Sequence, residues 1–313
     1  SDAIQSALAD VNSIYGKSLV PKIIAPVITT SSYNSWAQLV VTNRHLNFLG
    51  QTDPNFWLLQ QYDYHQYNSS PTQFGANIAS LRNSIANAMS PENPFPVSIS
   101  EFNVHTAANF DSMVDTLDYP SKYPRLGAIA VNLVKNGAAE LYNFKLSQTD
   151  GDVGDNYPVR KNGMHYVDND NAPYNIGGIT KAGEVWRLFN KAFAPGRLRK
   201  DFSADASLSN LSLLASYDPV TARYYIFSAN DSSTASSVTL DVSAFNIPDN
   251  NRVLIEEVSE NFYGTISHYT RVLAGQVTTL TQPANSVWLV TIPSKAQQFS
   301  SPGVPTFTFA ATN

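Results

Sequence analysis

Cysteine is absent from all 313 residues, which excludes disulfides and thiolate metal sites. Charge is also sparse: Asp, Glu, Lys and Arg together make up 14% of the chain, against 43% hydrophobic residues. The polar surface must therefore come from Ser, Thr, Asn and Gln, which suits an extracellular, secreted protein. The formal net charge is −5 and no basic run or stripe occurs, so nucleic acid is excluded as a partner. No stretch approaches the roughly 20 apolar residues of a membrane span. No leader pattern precedes the opening Ser1-Asp2-Ala3, which reads as the polar start of a processed or trimmed chain. The five histidines are scattered, without H-x-x-x-H or H-E-x-x-H spacing, which argues against a catalytic metal. P-loop, G-x-G-x-x-G and G-x-S-x-G patterns are all missing, so neither a nucleotide cofactor nor an α/β-hydrolase elbow is indicated. No cofactor is expected.

What is present is organised in two parts, as the length predicts at roughly 100–200 residues per domain. Residues 1–195 alternate helical and strand patterns. Helices are predicted over Asp2–Ile14, with its apolar face of Ile4, Ala7, Leu8, Val11 and Ile14, then Asn34–Leu49, Thr72–Met89, Ala108–Leu117, Tyr123–Val134 and Ile179–Phe193. Asp2 and Thr72 are the expected caps of the first and third, and Gly16 the expected stop of the first. Strands are predicted at Lys22–Ile28, Phe56–Tyr62, Pro96–Phe102 and Ala138–Phe144, about 40 residues apart. Short apolar strands separated by helices imply a parallel sheet, either doubly wound or part of a barrel. After Pro195-Gly196 helical patterns cease. Seven alternating segments follow, Ser212–Ser216, Tyr224–Ala229, Ser237–Val242, Arg252–Val258, Ile266–Val272, Gln276–Leu280 and Ser286–Ile292, and they read as a β-sandwich over 196–295. Trp288 sits among Val287, Leu289 and Val290 without polar neighbours and is expected in its core. Residues 296–313 form a Ser/Pro/Thr-rich tail expected to extend along a neighbouring surface.

In parallel α/β folds, function collects at the C-terminal ends of strands. The segments expected there are Asp63-Tyr64-His65-Gln66-Tyr67, Ser100-Glu101-Phe102-Asn103-Val104-His105 and Tyr142-Asn143-Phe144-Lys145. Period two places Asp63, His65 and Tyr67 on one face of their segment, and Glu101, Asn103 and His105 on one face of theirs. A carboxylate ringed by Tyr, His and Asn suits a sugar with hydroxyls to be bonded. Asp150-Gly151-Asp152-Val153-Gly154-Asp155-Asn156 resembles part of a calcium loop but lacks the Glu of the twelfth position, so a solvated loop near substrate is expected there. Asp168-Asn169-Asp170-Asn171 is read the same way. Asn-x-Ser sequons make Asn68, Asn210 and Asn230 candidate glycan sites in a secreted protein.

Two of these segments carry a family resemblance. Ser100-Glu101-Phe102 matches the T/S-E-[FWY] context of the nucleophile at the end of strand seven in the clan of retaining (β/α)8 glycosidases. His65-Gln66-Tyr67 matches the H-x-Y pair that follows strand six in that clan. Within the clan, D-Y-H-x-Y, S-E-F-N and a β-sandwich after the barrel look most like the β-agarase/β-porphyranase family. The resemblance covers residues 1 to about 293 and implies the C-terminal half of a (β/α)8 barrel, strands five to eight, followed by an antiparallel sandwich. It implies a retaining hydrolase of a β-linked polysaccharide, with Glu101 as nucleophile, Tyr67 orienting it and His65 contacting sugar. Asp63, Asn103, His105, Asn143 and Lys145 would line the cleft. Tyr142 or Phe144 would stand where many members place a Trp platform.

The family's acid/base, a Glu after an Asn at the end of strand four, has no counterpart, and no Asn-Glu dipeptide occurs anywhere in the sequence. Half a barrel alone would leave open sheet edges. Three explanations stay open: a second polypeptide supplies the first half, the chain is a fragment, or the half-barrel has been reused in an assembly. The first two make it part of a hydrolase that is inactive as this chain alone. The third makes it a non-catalytic, glycan-binding or structural component of an extracellular assembly.

Overall fold

In the computed structural model of the chain the described residues are 2–19, 24–29, 35, 39, 61–88, 96–104, 122–144, 178–204, 206–242, 252–271, 277–293 and 308–310. They fall into two compact units, one comprising Ser1–Asn103 with Leu133–Asn143, the other Val104–Asn132 with Phe144–Asn313.

The first unit opens with α1 (Asp2–Tyr15), which ends at Gly16 in the left-handed region, φ +59°. Four strands follow: β1 (Ile24–Thr29), β2 (Gln61–Gln66), β3 (Val97–Phe102) and β4 (Ala138–Asn143). All are parallel, and their order across the sheet is their order in the chain. A doubly wound sheet reverses direction at a switch point. Among the described residues this sheet does not, and uniform stepping is the winding of a barrel. Between β2 and β3 lies α2 (Pro71–Ala88), whose Phe74, Ile78, Leu81 and Ile85 are wholly buried at helical spacing. Each such side chain contributes about 1.5–3 kcal/mol by leaving water. Phe74 meets Phe102 of β3 edge to face at 6.2 Å, which fixes Phe102 on the helix side of the sheet. The cap of α2 is Ser70, not Thr72: Ser70 Oγ accepts from Gln73 N at 3.1 Å. Pro71 takes the first helical position, where its missing N–H costs nothing.

β2 shares Gln61 and Tyr62 with the expected strand Phe56–Tyr62 and carries it further: residues 63–66, expected to follow the strand, are part of it. The actual strand alternates, with Tyr62 and Tyr64 wholly buried and Gln61, Asp63 and His65 on the other face. Residues 56–60, most of the predicted helix Asn34–Leu49 and all of Ala108–Leu117 lie outside the described residues.

The second unit contains the antiparallel sandwich. All seven predicted segments are strands: β7 (Leu211–Asp218), β8 (Arg223–Asn230), β9 (Ser236–Asp241), β10 (Arg252–Val258), β11 (Tyr263–Arg271), β12 (Val277–Gln282) and β13 (Ser286–Pro293). Three short strands join them, β5 (Leu198–Lys200), β6 (Ser203–Ala204) and β14 (Thr308–Ala310). One sheet has the order β11-β10-β13-β8-β7-β5, the other β12-β9-β14-β6. The tail thus enters the second sheet, Phe309 pairing with Leu240. Between the sheets pack Leu211, Leu213, Ile226, Val238, Leu240, Ile255, Trp288 and Val290. Trp288 is in the core as expected, but it has a polar partner: its Nε1 donates to Glu257 Oε2 at 2.9 Å.

The other face of the six-stranded sheet is covered by helices. The stretch of α3 (Tyr123–Lys135) up to Asn132 belongs to this unit, and Gly127 comes so close that a Cβ there would lie 3.3 Å from Phe227 and from Ala229. In α4 (Lys181–Ala192), Phe189 meets Phe227 edge to face at 5.2 Å. From the same helix, Lys191 Nζ reaches Glu256 Oε2 at 2.5 Å, and Arg187 bonds Glu184 at 2.6 Å and Gly264 O at 2.6 Å. Two covered faces explain why β13, Ser286–Pro293, is buried at all but its last residue.

Candidate active site

The site lies in the first unit, where β2 and β3 end side by side. In register, Tyr64 pairs with Ile99 and His65 with Glu101, so Ser100 has no partner on β2. On the other flank Ile99 pairs with Leu141 and Phe102 with Asn143, so Ser100 and Glu101 together oppose Tyr142. Ser100 is therefore the extra residue of a β-bulge. Strict alternation would turn Glu101 away from the face that Ser98 and Ser100 occupy. The bulge re-aims it onto that face, beside His65.

Three side chains converge there. Tyr67 Oη donates to Glu101 Oε1 in a short hydrogen bond. His65 Nδ1 lies 3.4 Å from Glu101 Oε2, and the His65 and Glu101 side chains keep 23% and 29% of their surface open. Burial, then the hydrogen bond to Glu101 and its charge, push the Tyr67 phenol well above its ordinary range. Tyr67 is thus a neutral donor across the whole working pH range. The arrangement holds one carboxylate between a fixed phenol and an imidazole while leaving it reachable from solvent, which is what a carboxylate nucleophile requires.

Below this trio the same face continues in polar pairs. Asp63 is wholly buried, and its carboxylate accepts from Ser98 Oγ at 2.7 Å and from Ser100 Oγ in a short bond. Its place is underneath the site, so the expected direct contact with sugar is corrected: both oxygens serve β3. One strand over, Glu140 Oε2 accepts from Gln61 Nε2 at 2.9 Å and Tyr142 Oη at 3.1 Å. Tyr142 opposes the bulge and is half exposed, whereas Asn143 belongs to the row of Gln66 and Phe102 on the helix side. Asn143 is therefore not brought to Glu101, and its buried amide atoms have no hydrogen-bond partner among the described residues. Asn103 is wholly buried and Phe144 is 40% exposed. His105, Lys145 and both Asp/Asn-rich loops lie outside the described residues. Sequence reasoning missed Ser98, Ser100, Gln61 and Glu140. The signal was the alternation in Gln61-x-Asp63-x-His65 and Ser98-x-Ser100.

One of the three glycan candidates is corrected, Asn230, while Asn210 is only half-buried and stays a candidate. Asn230 is wholly buried and its amide nitrogen donates to Thr234 O and Pro283 O, both at 2.9 Å. Asn210 donates to Ser236 Oγ at 2.6 Å. Asn68 is exposed, at φ +54° in the turn after Tyr67. Among the described residues no cluster of three metal-ligating side chains occurs, and no helix is long and apolar enough to cross a membrane.

No protein-family model matches the sequence, and no curated protein matches it. Solved structures do. The chain is similar to the glycoside hydrolase family 30 subfamily 8 xylanase Xyn30A from Clostridium acetobutylicum, with TM-score 0.55 at 14% identity over 87% of this chain and 56% of that one. It is similar to a glucosidase from Croceicoccus marinus, with TM-score 0.57 at 11% identity over 87% of this chain and 60% of that one. A Paenibacillus polymyxa xyloglucanase from family 44 matches with TM-score 0.54 at 10% identity over 87% of this chain and 57% of that one. The fold is that of glycoside hydrolases: part of a (β/α)8 barrel followed by an antiparallel sandwich. The chain spans little more than half the length of the structures it matches.

Proposed function

We propose that this chain carries the nucleophile half of a retaining glycoside hydrolase acting outside the cell on a β-linked, agarase-like polysaccharide. The observation that supports it is the convergence of Tyr67 and His65 on the two oxygens of Glu101 at the ends of adjacent parallel strands. Glu101 attacks the anomeric carbon and forms a glycosyl-enzyme as the glycosidic C–O bond breaks and the departing oxygen takes a proton from an acid/base outside this chain, while Tyr67 holds the first oxygen of Glu101 in line. Half-exposed Tyr142 offers a ring face beside it. His65, at the second oxygen, is placed to meet a sugar hydroxyl.

A retaining enzyme needs a second carboxyl group about 5 Å from the first. Among the described residues, the other carboxylates of this face, Asp63 and Glu140, are both occupied and lie a level below Glu101 in the sheet. The proposal therefore includes a segment or partner chain that completes the barrel and supplies the acid/base. Without general acid help, worth about 10²–10⁴-fold, turnover of an unactivated glycan is slow.

The test is covalent labelling of the completed barrel with a 2-fluoro aryl glycoside, whose activated leaving group needs little protonation. Peptide mass analysis should find the sugar on residue 101 in the wild type and nowhere in Glu101→Gln. Label that persists in Glu101→Gln, or no label in a verified complete barrel given its proper sugar, removes Glu101 from the mechanism. The glycan-binding or structural role would then stand.

A further inference from the structure

Among the described residues Asp63 is the one carboxylate on this face with no exposed surface, and nothing in the reaction above uses it. Its two oxygens are divided between two serines of the neighbouring strand, Ser98 on Oδ1 and Ser100 on Oδ2. These are not equivalent positions. Ser98 is in regular register opposite Asp63, while Ser100 is the residue the bulge inserts. The one Ser98 hydroxyl proton is shared with Tyr62 O, 3.3 Å away, which keeps the regular part of β3 against the β2 backbone. One rigid carboxylate thus spans the last regular inward position and the inserted one.

We propose that Asp63 is a positioning residue that holds the β3 bulge closed through Ser98 and Ser100, and thereby places Glu101 between Tyr67 and His65. The geometry requires some such restraint. An extra residue in a parallel ladder leaves its own backbone unpaired and the strand free to slip by one. A slip of one position would carry Glu101 to the face of Phe102, where Phe74 already packs. The Ser100 hydroxyl, drawn inward by a buried acceptor, keeps the inserted residue on the inner face, so the following residue must share that face. The charge of Asp63 is felt on its other side as well: burial, and then Asp63, hold the Tyr62 phenol well above its ordinary range.

This deepens the proposed function, since it assigns what orients its nucleophile, yet it is testable without any sugar. The full chain is prepared with tyrosine labelled at ¹³Cζ, and the Tyr67 line is assigned by its loss in Tyr67→Phe. Glu101→Ala marks where that line falls when the partner is gone. In Ser100→Ala the Tyr67 line should move to the Glu101→Ala position, and Asp63→Ala should do the same. Ser100→Thr, which keeps the hydroxyl, should leave the line at its wild-type position, a rescue that general destabilisation would not produce. Circular dichroism confirms that each variant is folded, and if Asp63→Ala is not, the Ser100 pair decides alone. A Tyr67 line unmoved in Ser100→Ala, while Glu101→Ala moves it, overturns the proposal. So does a Ser100→Thr line displaced as far as that of Ser100→Ala. Because fluorosugar labelling reads the reaction and the tyrosine line reads the geometry, failure of one is told from failure of the other.

Discussion

Replacing Trp288 by Phe removes one hydrogen bond and about a third of a side chain from the centre of the sandwich. Trp288 is 1% exposed, and its Nε1 donates to Glu257 Oε2, a group on a residue 2% exposed. His268 stands edge to face on the indole at 5.6 Å, closing the edge of the pocket. Leaving a buried acceptor without its donor costs about 1–3 kcal/mol. The smaller ring adds about 1 kcal/mol of lost contact and cavity. Trp288→Phe should therefore destabilise the chain by about 2–4 kcal/mol. Glu257→Leu alone strands the indole N–H and should cost about 1–3 kcal/mol by the same reasoning. The double variant has neither stranded group, so its loss should fall short of the sum by at least about 1 kcal/mol. Urea denaturation of the full chain, followed by far-ultraviolet circular dichroism, measures all three. Additivity within about 0.5 kcal/mol would refute the pairing. A Trp288→Phe loss near zero would refute the placement of this residue in the core, and would reopen the sandwich as a glycan-binding surface with Trp288 as its platform.

Asp218 accepts from Val220 N at 2.9 Å and Thr221 N at 3.2 Å in the β7–β8 turn. Burial works to raise its carboxyl, but the Thr221 and Val220 donors and Arg197 outweigh it and hold the group below the ordinary carboxylate range. The folded value lies under the unfolded one, so the stabilisation is present at neutral pH and is lost as pH falls below about 4. Asp218→Asn should flatten that part of the acid limb in a plot of urea midpoint against pH. Tyr67→Phe removes a hydrogen bond to a carboxylate worth about 1.5–3 kcal/mol, so labelling at residue 101 should slow by about 10- to 100-fold while the variant stays folded. Expressed through a eukaryotic secretory route, the chain should carry glycan at Asn68 and none at Asn230. Asn230→Gln should leave the glycan mass unchanged and lower the melting temperature, because the longer amide cannot keep both bonds, to Thr234 O and Pro283 O.

Among the described residues, the strands and helices up to residue 192 and the seven sandwich strands after them were legible in the sequence. Both patterns are local: apolar periods of 3.6 and two are set by which face of an element meets a core. The sequence also determined the grouping of His65 and Tyr67, because residues two apart on an extended chain share a face whatever lies beyond. Tertiary structure alone decided the rest. That β2 runs on through Asp63–Gln66 was not legible, since a strand with a polar inner face and a tyrosine outer face has no continuous apolar stretch. The residues flanking Ser100 do not announce a bulge, because a bulge is a mismatch between strands and has no existence in one of them. Asp63 looked like a residue for sugar, and Asn230 like a site for glycan. Asp63 is closed by Ser98 and Ser100, 35 and 37 residues away, and Asn230 by nearby Thr234 together with Pro283, 53 residues away, which only folding brings to it. Trp288 was legible as core from its apolar neighbours, but its bond to Glu257 was not, for that pair is set by the register of β10 against β13.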